Sequence, residues 1–524
     1  MPVDNDEVLI VGAGPAGISA ALALAEQGRP VRLIDPARAT IELPPRGNYQ
    51  QLRASDSAQW RWQLGDNLGR GEAGATSPKL RVPGLAPIFA DYARENWLRP
   101  EPGFHLLGAM AVGGLSNAWG CGVARFDESE LAPLSSAQMD ASYARVARRM
   151  GLSGASDDGV AAALGVDGWA EPGLPLDALH AQLLRRRDRV ERQRGVTLGR
   201  SRLGVLASPR PGRSACDLSG LCLWGCPERA TWSAAMDLQA LLSKPNVVWE
   251  PGWCADRLQR CADGRWDLQV HASDGGTRVI NARRIVLAAG TIATTRLVLA
   301  ALPAPPRELR LLSNPMAAFL LCLPAFLGQP RRSAFGLAQL SARVDLLAEG
   351  AAWAHLFSTA GLPVTEFLPY LPITRRAGLP LLRALLPATI VGNVFFPGAL
   401  SAHTVALDAD GGLRIRGGEA SGLASARARV RTTLEQAFRR AGAWMLPGSF
   451  VPGGLGADLH YASTLPIRPD PRAHECHRSG EVAGLPGVYV VDGASLPALP
   501  AKSHTLTIMA NADRIARSLQ RSDV

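Results

Sequence analysis

The sequence predicts an α/β protein: a doubly wound, Rossmann-like parallel domain joined to a second, α+β domain built on a mostly antiparallel sheet. Three observations predict it. A strand, a glycine-rich turn, a helix and a second strand ending in an acid open the chain between Glu7 and Asp35. Short apolar runs ending in glycine or aspartate return late, at Arg284 to Gly290 and Val488 to Asp492. Between these two runs, residues 311–416 alternate apolar segments with prolines and charges, as a largely antiparallel sheet does. The length of 524 residues fits two domains, because single cores stop growing near ~250–300 residues.

Val8 to Val11 form a short apolar run, which predicts a buried parallel strand. Gly12, Gly14 and Gly17 give G-x-G-x-x-G at the turn, with Ala16 inside it. An amphipathic helix is expected next, with Ile18, Leu22 and Ala25 on one face and Gly28 as its stop. A second strand, Val31 to Ile34, ends in Asp35. Gly12 permits a tight turn, Gly14 lets backbone approach a pyrophosphate, and Gly17 lets helix and strand pack closely. The helix amino terminus then faces the phosphates. Asp35, 18 residues after Gly17, can accept the hydroxyls of an adenosine ribose. The unit predicts a bound dinucleotide and does not by itself distinguish FAD from NAD(P).

Residues 41–100 are rich in proline and tryptophan and are expected to be loops covering the cofactor. Gly113 to Gly120 is a second glycine turn, where backbone can approach a flat ring. Trp266 to Val270 and Arg278 to Ile280 flank Asp274-Gly275-Gly276, a predicted hairpin. A buried strand leads from Arg284 to Gly290, with a helix beginning over Thr294 to Leu299. The central apolar segments are 317–326, 335–347, 353–367, 389–396 and 403–407. The last turns at Asp410-Gly411-Gly412 into Leu413 to Ile415. Val430, Leu434 and Phe438 mark one helix face, and Gly442 ends that helix. At the carboxyl end, the Val488 to Asp492 strand and a loop from Leu496 to His504 lead to a helix. Thr505 or Leu506 opens it, and Ile508, Ala512, Ile515 and Leu519 form its buried face. That geometry favours partial negative charge on a ring.

Composition narrows the function. Apolar residues are 47% and charged residues 19%, which excludes wholesale disorder and collagen-like repetition. Net charge is +10, supplied almost entirely by arginine. The densest run, Arg185 to Arg194, has no interleaved aromatic and reads as a solvated helix face, so no nucleic-acid partner is expected. Peripheral contact with an anionic membrane surface stays open. The first strand at Val8 leaves no room for a signal peptide, and no apolar run is long and uninterrupted enough to span a bilayer. Eight dispersed cysteines then imply a reducing, cytoplasmic location without disulfides. Cys216, Cys222 and Cys226, followed by Pro227, leave three readings: iron–sulfur ligands, a zinc site short of one ligand, or a metal-free turn.

Together these stretches resemble the glucose–methanol–choline (GMC) family of FAD oxidoreductases. The resemblance rests on the first fingerprint, Gly113 to Trp119, Leu287 to Gly290, His460 with Ser463-Thr464, and Val490 to Asp492 followed by Leu506 to Ala510. It spans residues 7 to 518. It implies FAD, a doubly wound FAD-binding domain (1–40, 101–130, 205–300 and 450–524), a cover (41–100) and a substrate domain (131–204 and 301–449). It implies cofactor contacts from Gly12, Gly14, Ala16, Gly17, Asp35, Gly113, Gly114, Ser116, Asn117, Gly290, Asp492, Thr505 and Leu506. The usual chemistry is hydride transfer from an alcohol carbon to flavin N5, with oxygen or a redox partner as electron acceptor. The alcohol could be lipophilic or sugar-like.

The resemblance puts the catalytic base at His460, a residue type whose proton affinity suits taking an alcohol proton. The family's second group is a histidine or asparagine before a proline. Here Ser503 aligns with that group and His504 with the proline; either His504 swings in as the partner or Ser503 hydrogen-bonds the substrate weakly, and His504 is the expected one. Some relatives attach FAD through a histidine two residues after the glycine-turn serine. Ala118 stands there, so noncovalent FAD is expected. The cysteine spacing resembles that of bacterial FAD-dependent glucose dehydrogenases with an iron–sulfur cluster. Other relatives keep such turns without one. A lyase or decarboxylase on the same scaffold, or a flavin-binding protein with decayed activity, is the alternative function.

Overall fold

The structure, a computed structural model, describes residues 6–65, 78–346, 349–368, 371 and 373–519. Residues 66–77 of the expected cover, and the extreme ends of the expected FAD segments, lie outside the described residues.

A five-stranded sheet forms the first half, in the order Val488–Val490, Arg284–Leu287, Val8–Val11, Val31–Asp35, Val247–Pro251. Every pairing in it is parallel. The Val8–Val11 strand is buried along its whole length, as a central strand covered on both faces must be. The late strands therefore return to the first one, as expected. The Val247–Pro251 edge strand was not expected: its burial is only partial, so its apolar signal is weak.

The Pro15–Glu26 helix differs from the amphipathic one expected. It is buried from Ala16 to Ala25, because it lies between the sheet and the helices Ala234–Leu242 and Thr505–Ser518. Its small residues permit that close approach. Gly28 follows in the left-handed region at φ 73°, as its place beyond the helix end requires.

The second half rests on a seven-stranded antiparallel sheet. Six strands run Trp444–Met445, Met316–Cys322, Thr389–Phe395, Ala351–Ser358, Ala338–Asp345, Val196–Arg200, with Val451–Pro452 paired beside Met316–Cys322. The Leu423–Arg440 helix closes one face, burying Val430, Leu434 and Phe438 against Phe319, Leu340 and Leu356. The other face lines a cavity. The expected hairpin of His403–Leu407 with Leu413–Arg416 forms, but in another sheet, with Leu309–Ser313, Tyr461–Ala462 and Leu98–Pro100. Pro397 and the 3-10 turn Gly398–Leu400 carry the chain out of the first sheet.

Two further expectations need correction. The 41–100 cover contains short helices at Tyr49–Ser55, Gln59–Leu64, Ala86–Phe89 and Tyr92–Glu95, because Leu52, Val82 and Leu85 find a small core with Leu221 and Trp224. The arginine run is two helices, Ala178–Arg185 and Arg187–Glu191. The break is at Arg186, whose guanidinium donates to the Ala441 carbonyl at 2.8 Å. The hairpin of Trp266–His271 with Thr277–Ala282 gains a third strand, Cys254–Arg260. Among the described residues, no helix is long and apolar enough to cross a membrane.

Candidate active site

The glycine turn is built for close approach. A methyl at Gly17 would sit 1.8 Å from the Gly12 carbonyl oxygen, so helix and turn pack without side chain there. A methyl at Gly14 would meet nothing within 4 Å, because that position opens onto the cavity. Asp35 braces the turn: its carboxylate accepts from the Ala13 amide at 2.7 Å and the Ala37 amide at 2.8 Å. Burial pushes its pKa up to about 6.

The second glycine turn backs onto the first, with Gly114 3.4 Å from the Gly14 Cα through an added methyl. Ser116 Oγ donates to the Gly113 carbonyl at 2.5 Å and accepts from the Ala234 amide at 2.9 Å. Asn117 Nδ2 donates to the Val112 carbonyl at 2.8 Å. Both side chains hold the turn's shape, and Ala118 lines the cavity without a nucleophile. Asp492 ties the late strands together, accepting from the Gly290 amide at 3.0 Å and the Thr294 hydroxyl at 2.5 Å. Thr505 faces the cavity, whereas Leu506 is wholly buried behind it. An open Gly14 edge and a helix amino terminus fit a dinucleotide.

His460 sits on a strained turn. Leu459 takes φ 63°, a conformation a leucine adopts only under constraint. Asp458 supplies the constraint. Its carboxylate accepts from the Ser313 hydroxyl at 2.5 Å, the Asn314 amide at 2.7 Å and the His460 amide at 3.1 Å. Burial raises its pKa to about 7.

Asn314 then decides the histidine tautomer. Its Nδ2 donates to the Phe396 carbonyl at 2.8 Å and the Pro500 carbonyl at 3.0 Å, so its Oδ1 must be the end that meets His460 Nδ1 at 3.2 Å. A carbonyl oxygen only accepts. Nδ1 therefore carries the proton and Nε2 the lone pair. Burial, with His504 and His355 nearby, holds His460 well below the usual histidine range, so it is neutral at pH 7.

His504 packs edge-on against His460, ring centres 4.8 Å apart at 76°. Burial lowers it to about 4, and its Nδ1 has no hydrogen-bond partner among the described residues. Ser503 also lines the cavity, its Oγ 2.6 Å from where a methyl on Gly122 would be. The geometry thus brings His460 and His504 together, with Ser503 on the wall of the same cavity.

One cavity of about 550 Å³ joins the glycine turns, the two histidines and the antiparallel sheet. On that sheet Asn393 stands opposite His355, and His355 opposite Ser341. His355 Nδ1 and Ser341 Oγ are 3.0 Å apart, and Ser341 Oγ lies 2.8 Å from Ser201 Oγ. This polar row has apolar rows on either side, Phe395 with Trp353 and Val391 with Phe357. Charged side chains at the cavity edge are engaged with protein. Lys502 bonds Glu130 at 2.8 Å, and Arg202 bonds Asp158 and Asp167. Asn314, Asp458, His355 and Asn393 carried no motif signal; only their long-range pairing identifies them.

Cys216, Cys222 and Cys226 come together with Cys121, but in an apolar cluster with Leu203, Val205, Phe335 and Leu337. Burial pushes Cys216 up to about 12 and Cys222 up to about 11. Among the described residues, no group of three or more histidines, cysteines or acids is placed to hold a metal ion.

Residues 5–57 match the family model described as FAD binding domain. Among solved structures, pyridoxine 4-oxidase from Mesorbium loti is similar over 98% of this chain and 99% of its own, at a TM-score of 0.59 and 16% identity. A formate oxidase variant from Aspergillus oryzae RIB40 is similar over 98% of each chain, at a TM-score of 0.59 and 12% identity. No curated protein matches in sequence. The chain therefore carries an FAD-binding domain and has, over nearly its whole length, the two-domain fold of these oxidases, as the GMC resemblance implies.

Proposed function

We propose that the chain is a GMC-type FAD oxidoreductase that oxidises the CH–OH group of an uncharged, largely apolar alcohol. FAD is bound noncovalently by residues of segments 1–40, 101–130, 205–300 and 450–524, and the substrate by 131–204 and 301–449. Electrons leave to oxygen or a redox partner. FAD, when bound, supplies the hydride acceptor.

The chain's own residues supply the proton chemistry. His460 Nε2 accepts the hydroxyl proton as the C–H bond breaks, while Nδ1 keeps its own proton and donates it to Asn314 Oδ1. His504 orients the hydroxyl. Two rings with centres 4.8 Å apart resist carrying charge together, so His504 stays neutral when His460 is protonated. The Thr505 helix terminus favours negative charge beside it. Apolar rows around Asn393 and His355 favour a mostly hydrocarbon substrate with one further hydrogen-bonding group.

The observation that carries this reading is the forced Nε2 acceptor of His460 on the same cavity as the dinucleotide turn. The test mixes holoenzyme anaerobically with aliphatic, benzylic and sugar alcohols and follows flavin bleaching. Apolar alcohols should bleach it and carboxylated ones should not. Product formation without bleaching would favour the lyase alternative, and inertness toward every alcohol would refute the proposal.

A further inference from the structure

The Arg375–Leu385 helix packs on the flanking turns Val364–Glu366 and Leu386–Ala388 and has two apolar sides. Gly378 and Leu382, spaced i and i+4, face the protein and are buried. Ala377, Pro380, Leu381 and Ala384, spaced i, i+3, i+4 and i+7, are all exposed to solvent. Soluble helices put polar residues on that face. The stripe extends beyond the helix. The Gly328 amide donates to the Ala384 carbonyl at 3.0 Å, which sets Leu327, 46% exposed, beside it. Ile373, 45% exposed, precedes the helix and approaches Gly378.

Exposed charge around the stripe is basic, with the half-buried Glu366 of the Val364–Glu366 turn the neighbouring acid. Arg332, Arg375, Arg376 and Arg383 are exposed. No aspartate or glutamate occurs from Leu320 to Val344 or from Phe367 to Leu400. Such a face, apolar at the centre and basic at the rim, complements the interface of an anionic bilayer. The face also adjoins the cavity wall. Arg331 donates to the carbonyls of Thr359 and Leu362, Leu362 lines the cavity, and Thr359 Oγ1 donates to the Leu386 carbonyl just past the helix.

We infer that this face docks the protein peripherally on an anionic phospholipid membrane, with the Arg375–Leu385 helix lying in the interface and the substrate cavity behind it. The inference is independent of the catalytic chemistry. The test is cosedimentation of FAD-loaded protein with phosphatidylglycerol vesicles and with phosphatidylcholine vesicles. Binding should be stronger to phosphatidylglycerol and should weaken as salt rises. Leu327→Glu with Leu381→Glu, and Arg375→Glu with Arg376→Glu, should each reduce partitioning at least about tenfold, with flavin content and melting temperature unchanged. Absence of binding to phosphatidylglycerol would overturn the inference, as would undiminished binding by both double variants. So would a dimer in solution that the same substitutions dissociate, since a second copy would then cover the face.

Discussion

Asn314→Leu isolates the tautomer argument. The substitution keeps side-chain bulk and removes the oxygen that holds the proton on His460 Nδ1. A neutral hydrogen bond of this kind contributes about 0.5–1.5 kcal/mol net, so the productive tautomer should fall about 2- to 12-fold. Loss of the base itself, as in His460→Ala, should cost ~10²–10⁴-fold. The Phe396 and Pro500 carbonyls also lose their donor, at roughly 1–3 kcal/mol each if no water replaces it, so the melting temperature must be followed alongside. The assay is anaerobic stopped-flow bleaching of the flavin by saturating alcohol. Asn314→Leu should retain FAD and reduce it about 2- to 12-fold more slowly. Wild-type speed in that variant, with His460→Ala crippled, would refute the tautomer assignment while leaving the base in place.

Four further outcomes follow from named contacts. Gly17→Ala, which forces a methyl to 1.8 Å from the Gly12 carbonyl oxygen, should abolish soluble folded protein. Gly14→Val, whose first added carbon meets nothing within 4 Å, should leave the apoprotein's melting temperature unchanged and lose FAD in equilibrium dialysis. Because burial holds His504 near about 4 and His460 well below its ordinary range, both are neutral from alkaline pH down. The flavin-reduction rate should therefore show no acid limb from histidine protonation near the ordinary histidine value; a limb near pH 7 should come from Asp458, which burial raises to about 7, and should vanish in Asp458→Asn, whereas a limb that persists in that variant would contradict the neutral-histidine assignment. Protein purified anaerobically should carry no stoichiometric iron or labile sulfide, because Cys216, Cys222 and Cys226 pack against Leu203, Val205 and Phe335. Iron in fixed ratio to flavin would overturn that.

Much of the parallel half was legible because its signals are local. Val8–Val11, Gly12, Gly14, Gly17 and Asp35 lie within one short stretch and each carries its own physical reason. The antiparallel strands were legible as apolar segments. Their partition into two sheets was not, since only the turn at Gly398–Leu400 separates His403–Leu407 from Thr389–Phe395. The first helix was read as one-sided because period alone cannot report a second neighbour, here the Thr505–Ser518 helix from the other end of the chain. In the site, the pairing of His460 with His504 needs only the two loops to meet. Asn314 and Asp458 were illegible: their meaning lies in hydrogen bonds to Pro500, Phe396 and Ser313, which no spacing announces. His355 and Asn393 became visible only through strand register.

The central claim is that His460 takes the substrate proton, and single-turnover reduction of flavin in His460→Ala tests it most directly. Flavin content and the visible spectrum should match wild type, because the cradle at Gly14 and Asp35 is untouched. Reduction by an alcohol that bleaches wild type should slow ~10²–10⁴-fold. His460→Ala reducing its flavin at the wild-type rate would contradict the account.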